Sequence, residues 1–156
     1  MKYVTEEFLE AIEDYLLEKY EPQTQKILFQ TVDYSKITIE NIVKTDVETF
    51  QDKLFQMIKD KNLDEVEIYK KGNISRQLFS KIRSEKDYHP AKNTVFSLAI
   101  GMELNIDEAS ELLEKAGFAF SSASKSDLII QYFMYHKNYN IFAINEVLEK
   151  YGLETL

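Results

Sequence analysis

The sequence predicts an all-α protein, and three observations carry that expectation. Apolar residues recur at three- and four-residue spacing through most of the chain, Ser, Thr, Asp or Asn stands just ahead of those runs, and Gly, Asn or Pro closes them. With 156 residues and 44% hydrophobic content, the chain can build the core of one domain or two small ones. There is no Cys, which excludes a disulfide framework and a thiolate metal site and fits a reducing cytoplasm. Met1 to Glu13 lacks the basic start and continuous apolar core of a signal peptide, and no apolar run approaches a membrane span. A cytoplasmic protein with no membrane contact is the expectation.

Thr5, followed by Glu6 and Glu7, reads as an N-cap with acids in the first turn, and Phe8, Leu9, Ile12, Tyr15 and Leu16 continue at helical spacing. A helix of about four turns is expected to end near Lys19, ahead of Glu21-Pro22. Between Lys26 and Val43, apolar and β-branched triplets flank Asp33-Tyr34-Ser35, a pattern that fits a short hairpin, a helix or an extended arm. Residues 1–45 therefore form an N-terminal helix plus connector.

From residue 46 to 117 the pattern resolves into five helices. Thr45 or Asp46 caps the first, which carries Val47, Phe50, Leu54, Met57 and Ile58. Asp64 caps a short second helix through Val66, Ile68 and Tyr69, and Gly72-Asn73 tolerates the left-handed backbone of a tight turn. Ser75 caps the third helix, with Leu78, Phe79 and Ile82 facing inward. A loop containing Pro90 leads to a fourth helix from about Thr94 to Glu103, and Asp107 caps a fifth that Gly117 ends. The polar stretch Ser121 to Ser126 then introduces residues 118–156, a helical pair packed on the core, one helix behind a Ser126 cap and one stopped by Gly152.

Charge is unevenly distributed. The net charge is −8, which argues against a protein that coats nucleic acid indiscriminately. Between Lys70 and Lys92, however, seven cations face two anions, a local +5 that holds both arginines of the chain.

That island coincides with a spacing of particular kind. Ile68 ends a supporting helix, Asn73 makes the turn, Ile74 plugs the angle, Ser75 opens the next helix, and apolar residues three, four and seven places later bury one face. The run Thr94-Val95, Leu98-Ala99 and Leu104-Asn105 follows at fixed intervals. Residues 46–117 thereby resemble the repressor-like helix-turn-helix domain of the xenobiotic-response-element type. They depart from it in bulky Tyr69, in Asn73 where Gly is usual, and in a longer loop after Arg83. Through Ile68-Tyr69-Lys70-Lys71-Gly72-Asn73-Ile74 and Phe79-Ser80-Lys81-Ile82-Arg83-Ser84, the chain from about Phe50 also resembles a bacterial family of uncharacterised helical proteins, found alone or appended to macro-domain proteins.

The first resemblance implies a sequence-specific DNA-binding transcriptional regulator. It implies that Arg76, Gln77, Ser80 and Lys81 face base edges and that Ser75, Arg83, Lys86 and Lys92 meet phosphates. One such module makes few base contacts, so a homodimer fits, and the closely spaced Tyr132, Tyr135, Tyr139 and Phe142 predict an interface for a second copy or a protein partner. The alternative is a non-enzymatic helical adaptor that keeps the fold and binds another protein. His89 and His136 have no partner ligand at helical spacing, the paired carboxylates fall on amphipathic faces, and no glycine loop cradles phosphate, so neither a metal, a cofactor nor an enzyme is expected.

Overall fold

A computed structural model describes residues 2–20 and 47–156, and within them the protein is all-α, with eight helices and no strand. Beyond Tyr20, the connector expected to follow the N-terminal helix, with its hairpin, helix or arm between Lys26 and Val43, lies outside the described residues.

Helix α1 (Glu6–Lys19) starts where the sequence placed it, the Thr5 hydroxyl accepting the Phe8 N–H at 3.2 Å. It buries Leu9, Ile12 and Leu16. Helix α2 (Phe50–Asp60) is capped by Thr49, and Asp52 returns the bond to the Thr49 N–H at 3.0 Å. Thr45 and Asp46, the caps the sequence suggested, fall outside the described residues, and Val47 precedes the helix and is exposed instead of joining its stripe. The reciprocal Thr49–Asp52 box outcompetes a cap further upstream because it satisfies two orphan N–H groups at once.

Helix α3 (Glu65–Lys71) follows its Asp64 cap and α4 (Arg76–Ser84) its Ser75 cap. Helix α5 (Lys92–Gly101) is buried without interruption from Val95 to Gly101, as a helix apolar on every side must be. It lies at the centre, packed on α3 and on α6 (Ile106–Lys115). The cap of α6 is Asn105, not Asp107, again because a reciprocal box forms, here with Glu108. Helix α7 (Lys125–Tyr135) begins behind Ser124, two residues ahead of the expected Ser126, and α8 (Ile141–Lys150) behind Asn140. Helices α6 and α8 both pack on α7, and α1 covers its other side.

Two close approaches fix this arrangement. A Cβ on Gly72 would stand 2.4 Å from the Ser97 carbonyl oxygen, and one on Gly101 would stand 2.3 Å from that of Ile68. Helices α3 and α5 therefore meet backbone to backbone. The left-handed turn expected at Gly72-Asn73 is made by Asn73 alone, at φ +54°, while Gly72 serves proximity. The second fixture is Asp127, 2% exposed, which accepts from Lys92 Nζ at 2.5 Å, the Ser121 N–H at 2.8 Å and the Ser124 hydroxyl at 2.9 Å. It ties the start of α5 to the start of α7, and both of its buried oxygens have hydrogen-bond donors.

Candidate nucleic-acid interface

The turn between α3 and α4 closes by backbone hydrogen bonds at successive residues. Gly72 donates to Ile68, Asn73 to Lys70 and Ile74 to Tyr69, at 2.9, 3.2 and 2.8 Å. Ile74 is buried in the angle, and the Ser75 hydroxyl accepts the Leu78 N–H at 3.0 Å. Phe79 and Ile82 anchor α4 inward, Phe79 between the rings of Phe55 and Tyr69 at 6.2 and 5.8 Å. Tyr69, the bulky departure from the repressor pattern, is thus half-buried against Phe79.

The far end of α4 is held by a residue that the sequence reading passed over. Gln51 of α2 donates its side-chain amide to the carbonyls of Ile82 and Arg83, at 3.1 and 2.5 Å. These are orphan carbonyls of the last turn, so Gln51 caps α4 from a neighbouring helix. A partner 31 positions away leaves no local signal in the sequence.

With one face fixed, a turn of about 100° per residue places the rest of α4. Ser80, Ser84 and Gln77 crown the exposed side, Arg76 and Arg83 flank it toward α3, and Lys81 flanks it on the opposite edge, its ammonium 5.6 Å from the Tyr88 ring centroid. The four residues assigned to base edges, Arg76, Gln77, Ser80 and Lys81, are all exposed on one helix face. Neither α7 nor α8 covers them.

The residues assigned to phosphates divide. Lys86 is exposed, and Ser75 spends its oxygen lone pair on the helix cap while keeping a hydroxyl proton to donate. Lys92 belongs to the Asp127 node and is committed to the interior, a correction that follows from burial of its partner. Arg83 is ion-paired with Glu65 at the start of α3 and lies over the Phe55 ring at 5.6 Å. Lys71 is paired with Glu103 at 2.9 Å. Of the seven cations in the island, Lys70, Arg76, Lys81 and Lys86 have no carboxylate partner among the described residues.

Between α3 and α4 runs a cleft of about 440 Å³, floored by Tyr69 and Phe79, with Arg76 at one end and the Glu65–Arg83 pair at the other. Among the described residues no group of three or more His, Asp or Glu side chains could hold a metal ion, and no helix is long and apolar enough to cross a membrane.

The expected aromatic interface is corrected in two of its four members. Tyr132 is 8% exposed, sealed under Phe8 and Tyr15 of α1. Tyr139 is half-buried and donates its hydroxyl to the Leu104 carbonyl at 2.9 Å. Burial pushes both phenols above the ordinary tyrosine value. Tyr135 and Phe142 remain, 75% and 58% exposed, and Tyr3 joins them by stacking on Phe142 at 5.7 Å. Only the fold could bring Tyr3 to α8; the backbone N–H groups of Lys2 and Tyr3 reach it through the Glu146 carboxylate.

Comparison of the chain with protein-family models, with curated proteins and with solved structures finds no match.

Proposed function

We propose that this protein is a sequence-specific DNA-binding regulator, in which α2 to α6 form a repressor-like helix-turn-helix core and α4 enters the major groove. The observation that carries the reading is the outward face of α4, where hydrogen-bonding side chains are flanked by cations with no carboxylate partner among the described residues, in a molecule of net charge −8. Gln77 suits adenine and Arg76 guanine, each through paired hydrogen bonds, while Lys70, Lys81 and Lys86 supply charge to the backbone. Tyr3, Tyr135 and Phe142 are the residues offered to a second copy, which would double the few base contacts of one module.

The three cations given to the backbone limit the electrostatic contribution. Each neutralised phosphate adds about 0.9 to the slope of log affinity against log salt, so a protomer should show a slope of no more than about 2.7. The test is a mobility-shift titration over a salt series with Arg76→Ala combined with Lys81→Ala. Weaker binding with a shallower slope is the expected result; wild type that binds no duplex at low salt, or binding that the double substitution leaves unchanged, refutes the reading.

A second reading rests on the exposed aromatics: a non-enzymatic helical adaptor, with Tyr135 and Phe142 as its contact. Measuring oligomeric mass for Tyr135→Ala with Phe142→Ala separates the cases. A wild-type dimer that becomes monomeric supports self-association, and a wild-type monomer removes it.

A further inference from the structure

The Glu65–Arg83 pair lies in the place that matters most for the reading above. In a docked helix-turn-helix, the first helix of the motif crosses the sugar-phosphate backbone while the second enters the groove. Here the first turn of α3 carries Asp64, Glu65 and Glu67, the reverse of what a phosphate-facing helix start supplies. Glu65 also takes the one arginine at the C-terminal end of α4 and closes that end of the cleft as a neutral pair.

We propose that Glu65 is a brake on indiscriminate DNA binding: it withholds Arg83 from the phosphate backbone, so that affinity must come from the base-facing residues of α4. The inference rests on the DNA-binding reading and adds a residue to it. A carboxylate near the backbone repels every sequence equally, and a sequestered arginine serves none, so both effects lower non-specific affinity without touching base readout. Geometry favours Glu65 over Asp64 and Glu67 for this role. Asp64 spends its carboxylate capping α3 through the Val66 N–H at 3.0 Å, and the charge of Glu67 acts on Lys71, one turn along its own helix. The pair is also replaceable: Gln at position 65 keeps a hydrogen-bond acceptor for Arg83 but loses the charge that holds it.

The test is a charge cycle on intact protein with random-sequence duplex DNA over a salt series, comparing wild type, Glu65→Gln, Arg83→Gln and the double variant, with a thermal melt of each. Glu65→Gln should tighten binding several-fold and steepen the salt slope by about 0.9, the increment of one added phosphate contact. The double variant should lose that added slope. A wild type that binds no duplex refutes the DNA-binding reading, and the brake with it, whatever the variants bind. If wild type binds and Glu65→Gln changes neither affinity nor slope, the brake is refuted and the DNA reading stands. A gain that persists in the double variant refutes the release of Arg83. If no form binds duplex, both fall together.

Discussion

Basic residues on the two sides of this protein meet different fates. Along the contact of α2 with α6 each is answered: Lys53 by Glu111 at 2.6 Å, Lys61 by Glu108 at 2.7 Å and Lys115 by Glu48 at 3.4 Å. On and around α4, Lys70, Arg76, Lys81 and Lys86 are left without an acid among the described residues. Net charge cannot tell these surfaces apart. The difference lies in what each face has already been given to hold: one set of cations is neutralised within the fold and the other is not.

The largest effect is expected where charge is deepest. Asp127→Ala should cost about 3 kcal/mol in denaturant unfolding, because Lys92 and two polar donors lose their acceptor in a buried setting. A loss below about 1 kcal/mol would mean that the node is not structural. Gln51→Ala should cost about 1 kcal/mol by uncapping α4. It should also weaken duplex binding although Gln51 lies on α2, and unchanged affinity would show that the end of α4 needs no support. Lys53→Ala, at a half-buried lysine paired with an exposed glutamate, should cost about 1 kcal/mol or less and leave DNA binding alone. Arg76→Ala with Lys81→Ala should move stability by no more than about 0.5 kcal/mol while affecting binding, the opposite signature. If Lys53→Ala impairs binding as the α4 pair does, the division between the two sides fails.

Acid sharpens the same contrast. The N-terminal boxes of α2 and α6 each include a carboxylate, Asp52 and Glu108, whereas α4 is capped by the Ser75 hydroxyl alone. Hydrogen bonds from the Thr49 backbone and hydroxyl hold the Asp52 carboxyl below the ordinary aspartate value. Burial pushes the Glu108 carboxyl up, but Lys61 and the Asn105 N–H outweigh it and leave the group below the ordinary glutamate value. A lowered folded-state pKa means stability present above the unfolded value and lost as pH falls through the folded one. Melting temperature should therefore drop below the usual carboxylate range, and amide exchange should quicken at the starts of α2 and α6 before that of α4. Simultaneous exchange at all three would remove the distinction.

Most helix positions were legible because a cap is a local event, with side chain and N–H group two or three residues apart. The errors are local too. Several hydroxyl and carboxyl residues competed ahead of α2, α6 and α7, and the reciprocal pairs Thr49–Asp52 and Asn105–Glu108 decided the first two. What sequence spacing could not supply was pairing across the fold. Lys92 looked like part of a basic island until Asp127, 35 positions on, claimed it, and Tyr132 looked exposed until α1 covered it. The outward set Arg76, Gln77, Ser80 and Lys81 was readable because the periodicity of α4 is strong and its anchors lie within the helix itself.

The glycine contact between α3 and α5 bears on how such a protein can change over generations. Because the pose of α3, and with it the turn into α4, rests on main-chain atoms and on Gln51, the crown of α4 is free of structural duty. Gln77 and Ser80 can be exchanged for other letters with no penalty to the frame beneath them. If α4 reads DNA as proposed, a lineage acquires a new target by rewriting two or three exposed positions, while a single methyl group at Gly72 or Gly101 disturbs the frame that presents them all.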